Sequence, residues 1–267
     1  MREGNVSEPA LGIVGGGRVV RILLAGWRRA NRPLSNLTVS DSDAVVLQRL
    51  QAEFPSITVT AENRHAAKQS IVLFALHPPA FPAVLAEIKA SLPADGLLVS
   101  LAPRWTMNGI GEALGGFNRL ARVIPNAPSI VNRGYNPVSF SAQLTPGDRA
   151  RVMSLFAPLG SCPEVPEGTL EAYAIVAAMG PTYLWYQLYQ LIDLGCEFGL
   201  TREAATEAVA AMLDGAASTM IEAGMTPEGV MDLVPVKPLA PIEQTVREAY
   251  SRTLGELHKK LKGQAIH

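Results

Sequence analysis

The stretch LGIVGGGRVVRILLAGW, residues 11–27, decides the fold. It begins with a short apolar run that enters three glycines, and the residues after them repeat apolar side chains at helical spacing. A strand, a glycine turn and a helix in that order open a doubly wound α/β fold. The glycine pattern from Gly15 to Val20 reads GxGxxV rather than GxGxxG, so alone it is weak evidence.

The context of the glycine turn predicts dinucleotide binding. The first glycine makes the turn, the second lets the backbone approach a pyrophosphate, and the helix N-terminus supplies N–H donors and a favourable dipole. The next strand ends at Asp41, 24 residues after Gly17, where an acidic side chain accepts hydrogen bonds from a ribose. A purely structural glycine turn is the alternative.

Strand and helix patterns alternate up to about residue 167, which predicts a parallel sheet with helices on both faces. The further strand candidates are Asn36–Asp41, Ile71–Leu76, Gly96–Leu101, Leu120–Ile124, Pro137–Phe140 and Gly160–Val165. The helical patterns are Ala44–Phe54, Phe81–Leu92, Met107–Leu114 and Pro146–Leu159, the last capped by Thr145.

Residues 168–262 contain only helical patterns. Gly199 ends one helix, Thr201 caps the next, and Thr226 with Pro227 starts another. We therefore predict a dinucleotide-binding domain over residues 1–167 and an all-helical domain over 168–267. The fold class is α/β, with an N-terminal Rossmann-type doubly wound sheet followed by an all-α domain.

Composition limits the partners and the compartment. The chain has 267 residues, a net charge of −1, 48% apolar residues and 18% charged residues, so a partner subunit is expected to cover apolar surface. Without a long basic run, nucleic acid is not an expected partner. Cys162 and Cys196 lie far apart, which predicts neither a disulfide framework nor a metal site and fits a reducing cytoplasm.

The longest uncharged run, Ala172–Ile192, has 21 residues, nominally enough to span a bilayer. It contains Gly180-Pro181, two glutamines and four tyrosines, which favours a buried helix pair in an oligomer interface over a membrane helix. The N-terminal MREGNVSEPA has no apolar core, so no signal peptide is expected.

Several segments resemble the pyrroline-5-carboxylate reductase family over nearly the whole chain. LGIVGGG resembles its opening glycine turn, ALHPP (75–79) its Ala-Val-Lys-Pro segment, and LLVSLAPRWT (97–106) its Val-Val-Ser-Ile-Ala-Ala-Gly-Val-Thr. RVIPNAP (122–128) is close to the family's Arg-Ala-Met-Pro-Asn-Thr-Pro, the most specific match. In the helical half, residues 179–205 resemble its Gly-Pro-Ala-Tyr helix and 213–234 its next helix and loop.

The resemblance implies an NAD(P)-dependent reductase of the proline-biosynthesis type with a small-molecule substrate. It also implies a homodimer in which residues 168–267 form the dimerisation and substrate domain and intertwine with the partner. It assigns the pyrophosphate contacts to Gly15, Gly17, Arg18 and Val19, and the ribose contacts to Ser40, Asp41 and Asn63. The nicotinamide contacts fall on Ala75, His77, Pro78, Leu101 and Ala102. Asp41 favours NADH, whereas Ser40, Ser42 and the family's habit favour NADPH, so NADP or NAD is the expected cofactor. His77 is equally well interpreted as an ordinary loop histidine.

Two departures from the family concern the substrate. The family's Ser-Gly-Ser-Gly-Pro is here residues 177–181, AAMGP, and its Ser-Pro-Gly-Gly-Thr-Thr loop is here residues 236–241, VKPLAP, which removes donors and adds Lys237. Lys237 is the candidate catalytic residue, or else a solvated loop lysine. The candidate substrate contacts are Asn126, Met179, Tyr183, Pro238 and Ala240. Asn126 alternatively orders its loop, and Tyr183 alternatively packs in the interface.

Three functions are compatible with these residues. The first is an NAD(P)-dependent reductase of a C=N or C=O bond with altered substrate preference, in which residues 234–243 face the nicotinamide across the dimer. The second, a 3-hydroxyacid dehydrogenase-like enzyme, needs a lysine on the first helix of the helical domain, and no lysine occurs between Lys89 and Lys237. The third is a catalytically inactive nucleotide sensor.

Overall fold

The structure is a computed structural model that describes residues 10–263. The N-terminal stretch on which the signal-peptide expectation rests lies almost wholly outside that range. The chain divides into two compact units, one of residues Met1–Ala178 with Leu257–His267 and the other of Met179–Glu256. The predicted domain boundary at residue 167 stays a prediction.

The first unit contains a seven-stranded sheet with the strand order β3-β2-β1-β4-β5-β6-β8. Its strands are β1 (Leu11–Val14), β2 (Leu37–Ser40), β3 (Thr58–Thr60), β4 (Ile71–Phe74), β5 (Leu97–Ser100), β6 (Leu120–Val123) and β8 (Val138–Phe140). All neighbours pair in parallel except β8, which is antiparallel to β6. A separate small sheet pairs β7 (Gly134–Tyr135) with β9 (Gly160–Ser161).

The helices of the first unit follow the strands. They are α1 (Arg18–Arg29), α2 (Ala44–Glu53), α3 (Asn63–Ala67), α4 (Phe81–Ile88), α5 (Met107–Ala113), α6 (Pro146–Phe156) and α7 (Leu170–Tyr173). The later helices are α8 (Pro181–Glu197), α9 (Arg202–Glu222), α10 (Pro227–Asp232) and α11 (Ala240–Gly263).

The predicted α/β class is confirmed, with two corrections in detail. Strand β3 was not expected, because its three residues are partly exposed and carry no apolar run. The predicted all-parallel sheet is wrong at β8. The connection from β6 to β8 holds a 3-10 helix, Ala127–Val131, and β7, but no α-helix that would bring the chain back for a parallel strand.

The uncharged run Ala172–Ile192 is divided between two helices, as the predicted helix pair requires. Helix α7 ends at Tyr173, residues Ala174–Ala178 form a π-helix, and α8 begins only at Pro181. Gly180 has right-handed helical φ and ψ and is the N-cap of α8, and Pro181 takes the first turn of that helix. Within residues 10–263, no helix is both long enough and apolar enough to cross a membrane.

The proline-rich loop ends earlier than the sequence indicates. Helix α10 stops at Asp232, and α11 begins at Ala240, so Pro241 lies in the first turn of a helix rather than in the loop. Proline is well tolerated there because its missing N–H would have no helical partner. Lys237 and Pro238 stay in the loop.

A buried ion-pair cluster joins β6 to the segment that enters α7. Arg122 is 1% exposed and donates to Glu167 Oε1 at 3.0 Å and to Glu171 Oε1 at 2.7 Å. Burial by itself raises the pKa of the Glu171 carboxyl, but hydrogen bonds from Arg122 and its charge outweigh burial and hold that pKa below its usual range. Glu171 therefore contributes to stability as a carboxylate.

Glu171→Gln is expected to lower the free energy of unfolding by about 3 kcal/mol at pH 7, because Arg122 loses its buried charge partner and keeps only Glu167, which is 28% exposed. The folded pKa of Glu171 lies below the unfolded value of about 4.3. The wild-type contribution is therefore complete above that pH and is lost as the pH falls toward the folded pKa. Urea unfolding between pH 7 and pH 3 measures both effects, and the variant should show the shallower pH dependence.

Glu164→Gln is the matched control, because Glu164 pairs with Arg149 at 2.7 Å but is 54% exposed. Exposed ion pairs contribute about 0.5 kcal/mol. Equal losses of stability in the two variants would contradict a special role for the buried cluster.

Candidate cofactor-binding site

A cavity of about 410 Å³ lies at the carboxyl ends of the central strands of the first unit. Strand β1 is flanked by β2 on one side and β4 on the other, so the chain reverses its direction across the sheet at this point. Ligands of doubly wound sheets bind in the crevice at such a switch point. The cavity is lined by Gly15, Gly17, Arg18, Val19, Asp41, Ala75, Leu76, His77, Pro78, Leu101, Ala102 and Pro103.

The glycine turn gives this cavity its shape. Gly15 has φ +97°, and a Cβ there would meet the carbonyl oxygen of Ala75 at 2.7 Å, so only glycine fits. Gly17 is different, because a Cβ built on it would have no heavy atom within 4 Å. Gly17 is also the N-cap of α1, where the first N–H groups have no carbonyl partner within the helix. The open space at Gly17 is a cradle that a side chain would fill.

Asp41 ties the end of β2 to the glycine turn. Its Oδ2 accepts from the N–H of Gly16 at 2.7 Å, and its Oδ1 accepts from the N–H of Asp43 at 2.9 Å. The carboxylate is therefore held in place beside the cavity before any ligand binds. A fixed negative charge at this position accepts hydrogen bonds from a ribose and repels a phosphate.

Ser40 and Asn63 lie beneath the wall of the cavity rather than in it. Ser40 is fully buried, and its Oγ lies 3.0 Å from Asn63 Oδ1. Asn63 Nδ2 in turn donates to Glu87 Oε2 at 2.9 Å. Neither residue lines the cavity, so their predicted contact with the adenosine ribose stays a prediction.

The remaining predicted cofactor residues all line the cavity. Ala75, His77 and Pro78 follow β4, and Leu101 and Ala102 follow β5. His77 is exposed and precedes a 3-10 helix that begins at Pro78. The structure thus brings together ten of the twelve predicted residues, the exceptions being Ser40 and Asn63.

Three residues predicted to act on the substrate lie together in the second unit. Lys237, Pro238 and Ala240 line a cavity of about 620 Å³ with Gln187 and Arg247 among its other residues. Lys237 is exposed, whereas Arg247 is paired with Glu243 at 2.7 Å. Lys237 is thus a cation on an otherwise largely apolar surface.

The other predicted substrate residues lie elsewhere. The ring of Tyr183 packs against Tyr250 with centroids 5.8 Å apart, in a separate cavity of about 230 Å³. Met179 is half-buried and lines neither of these two cavities. The Asn126 side chain donates to the carbonyl oxygen of Ala177 and accepts from the N–H of Tyr135, which is the loop-ordering arrangement. Substrate contacts by these residues stay predictions.

Two residues that line the cavity, Leu76 and Pro103, were not among the predicted contacts, and neither was Arg104. Pro103 lines the cavity, and Arg104 directly after it has φ +83°, a backbone conformation that favours glycine. A signal was available, because Arg104 stands where the family's Ala-Ala-Gly-Val-Thr segment has its glycine.

Comparison with known proteins gives two family matches. Residues 10–104 match the NADP oxidoreductase, coenzyme F420-dependent family, and residues 167–238 match the pyrroline-5-carboxylate reductase dimerisation family. The pyrroline-5-carboxylate reductase of Escherichia coli is 27% identical over 228 residues, which cover 85% of each chain. That of Corynebacterium melassecola is 26% identical and covers 81% of this chain and 82% of its own.

These matches support membership of the chain in the pyrroline-5-carboxylate reductase family. The fold agrees: a Plasmodium falciparum pyrroline carboxylate reductase solved with NADP bound has a TM-score of 0.83 at 22% identity, covering 96% of this chain and 98% of its own. A Coxiella burnetii pyrroline-5-carboxylate reductase has a TM-score of 0.70 at 23% identity, covering 97% of each chain.

The family, the NAD(P)-dependent reductase class and NAD(P) as cofactor are thus confirmed predictions. The dimerisation match supports a homodimer. Within residues 10–263, no group of three or more His, Cys, Asp or Glu side chains is arranged to hold a metal ion.

Proposed function

We propose that this family member reduces the C=N bond, or a C=O bond, of a small anionic substrate with NADPH or NADH, and that its substrate preference differs from that of its relatives. The observation that carries the proposal is the cavity at the switch point of the sheet, with Gly17 open toward it. When bound, the nicotinamide supplies a hydride. The chain's own residues supply position and electrostatics.

The residues present fit a dinucleotide. The Gly17 cradle lets a pyrophosphate approach the backbone, and the N-terminal N–H groups of α1 neutralise its charge. Leu76, Leu101 and Ala102 give the opposite part of the cavity an apolar wall that excludes water from a flat ring. These contacts need no side-chain acid or base.

The choice between the two cofactors depends on the end of β2. Asp41 is held by two backbone N–H groups and favours a free ribose hydroxyl, hence NADH. Exposed Ser42 next to it and the habit of the family favour NADPH. Titration of both cofactors by nicotinamide fluorescence decides between them.

The proposed change of substrate follows from the loop after α10. Where the family has Ser-Pro-Gly-Gly-Thr-Thr, residues 236–241 offer two prolines, apolar side chains and Lys237. Loss of donors to a substrate carboxylate costs about 1 to 3 kcal/mol per unsatisfied group. We propose that Lys237 contacts the anionic substrate and donates a hydrogen bond to it.

Turnover across a panel of cyclic imines and 2-oxo acids, assayed with NADPH and with NADH, tests this proposal. We expect reduction of at least one compound more efficiently than pyrroline-5-carboxylate. Lys237→Ala is expected to raise the KM for that compound about tenfold or more, because a charge-assisted contact is lost. The affinity for the cofactor should not change.

Lys68→Ala is the matched control, because Lys68 is exposed and lies just before β4, at the amino edge of the sheet. Full activity in the Lys237 variant would remove Lys237 from the mechanism. Pyrroline-5-carboxylate as the best substrate would contradict the altered preference.

A second candidate function is a cofactor-binding sensor without turnover, and the replaced substrate loop is the observation that favours it. Cofactor binding without reduction of any compound in the panel is the result that it predicts.

We also propose a homodimer formed through the helical domain and a cytoplasmic location. The latter fits Cys162, whose burial raises the pKa of its thiol to about 11 and keeps it unreactive.

A further inference from the structure

Arg104 has an unusual backbone for its residue type. Its φ of +83° lies in the left-handed region, which an arginine adopts only at a cost in free energy. The family segment Ala-Ala-Gly-Val-Thr has glycine at this position, and glycine adopts this conformation freely. The chain therefore has an arginine with a strained backbone at a position where glycine would be unstrained.

Neighbouring contacts hold Arg104 in this conformation. Its N–H donates to Glu171 Oε1 at 3.3 Å, and the same oxygen accepts from buried Arg122. On the other side, Thr106 caps α5 by accepting from the N–H of Gly109. The turn is thus fixed at both ends, as strained functional positions generally are.

The Arg104 side chain has no partner that explains its presence. Among residues 10–263, its guanidinium makes neither an ion pair nor a hydrogen bond, and its Nε is buried without an acceptor. Buried donors are nearly always satisfied in folded proteins, so an acceptor is missing. An anion bound next to it would supply that acceptor.

Arg104 follows strand β5 and is therefore far from Asp41, which marks the ribose end of the cavity. It directly follows Leu101, Ala102 and Pro103, which line the cavity at the end of β5. Strands β2 and β5 are three positions apart in the sheet, so Asp41 and the end of β5 are separated by about 14 Å at about 4.8 Å per strand. Arg104 itself is not one of the lining residues, but it directly follows three of them and thus lies next to the end of the cavity away from Asp41.

We propose that Arg104 binds the carboxylate of the substrate and replaces donors that the chain has lost from its proline-rich loop. This inference rests on the proposed function, because it concerns the same site. A guanidinium fits a carboxylate well, since two parallel N–H groups bind its two oxygens. The expected substrates are therefore small imino or oxo acids, and uncharged imines are expected to bind without help from Arg104.

The test compares wild type with Arg104→Gly, which suits the backbone and so removes the side chain without a risk to folding. We expect a higher melting temperature, because the strain is relieved. In the presence of NADP⁺, the Kd for L-proline measured by calorimetry should rise about tenfold or more, whereas that for pyrrolidine, which lacks the carboxylate, should stay within about twofold. The KM values for pyrroline-5-carboxylate and 1-pyrroline should show the same contrast. Arg104→Lys should be intermediate.

Asn31→Gly is the matched control, since Asn31 also has positive φ, +56°, but lies just after α1, at the amino edge of the sheet. It should leave every Kd unchanged. Equal affinity of wild type and Arg104→Gly for L-proline, or a wild type that does not bind it, would overturn the inference. Carboxylate binding that depends on Arg104 in a chain that reduces no substrate would support the inference while the proposed function fails.

Discussion

Gly17→Val is expected to abolish detectable binding of NADPH and NADH while the fold stays intact. A Cβ at Gly17 meets no protein atom within 4 Å, so the new side chain projects into the space that a pyrophosphate must enter. We expect the Kd to rise about 100-fold or more, equivalent to about 2.7 kcal/mol. Nicotinamide fluorescence titration measures the loss, and thermal unfolding checks the fold.

Gly17 differs from the neighbouring glycines in that the fold itself does not require it, so loss of cofactor binding in Gly17→Val would be specific to the cavity. At Gly12 a Cβ would lie 1.8 Å from the carbonyl oxygen of Ala66, and at Gly15 the backbone is left-handed, so substitutions there are expected to damage the fold as well. Valine at Gly17 is expected to cost about 1 kcal/mol as a poorer N-cap. Gly147→Val, in the first turn of α6 and free of clashes, is the control. Undiminished cofactor affinity in Gly17→Val would contradict the assignment of the cavity.

Ile221→Glu is expected to convert a dimer into a monomer. In the helical unit, many large apolar side chains are exposed, among them Phe198 at 80%, Ile221 at 75% and Tyr186 at 68%. Monomers rarely expose an apolar patch of more than a few hundred Å², so a second copy should cover this surface. A carboxylate buried without a partner in that interface costs several kcal/mol, so we expect the dimer Kd to rise by about 100-fold or more.

Light scattering and sedimentation at micromolar concentration measure the change, and circular dichroism confirms that the helices persist. Val45→Glu is the control, because Val45 is 57% exposed on α2 of the first unit. It lies in the first turn of that helix, where a carboxylate is stabilised by the helix dipole. A wild-type chain that is monomeric with its fold intact would refute the dimer.

The parts of the fold that could be predicted from sequence are those whose local signals agree with the tertiary structure. Apolar β-branched runs such as Ile71–Phe74 are buried in the sheet, and the glycine turn occurs in its expected context between strand and helix. Strand β3 was missed because an edge strand of three residues has little apolar content to signal it. The break in Ala172–Ile192 shows that a long uncharged run does not imply one helix.

The candidate site was predictable where the backbone supplies the chemistry. Strand order and the family resemblance predict Gly15, Gly17 and the segments after β4 and β5, because the position of each along the chain fixes its place at the end of a strand. Side-chain partners were not predictable: the Ser40 hydroxyl bonds to Asn63 beneath the cavity, and no local pattern encodes that contact. The positive φ of Arg104 was signalled only by the glycine that the family has at this position.

Isotope transfer tests the central claim, hydride reduction by this chain, most directly. The protein is incubated with NADPH or NADH dideuterated at C4 of the nicotinamide and with the panel of cyclic imines and 2-oxo acids, and the products are examined by mass spectrometry. The account predicts that one product gains a single deuterium on the carbon of the former C=N or C=O bond. Bound cofactor without deuterium in any product would contradict it.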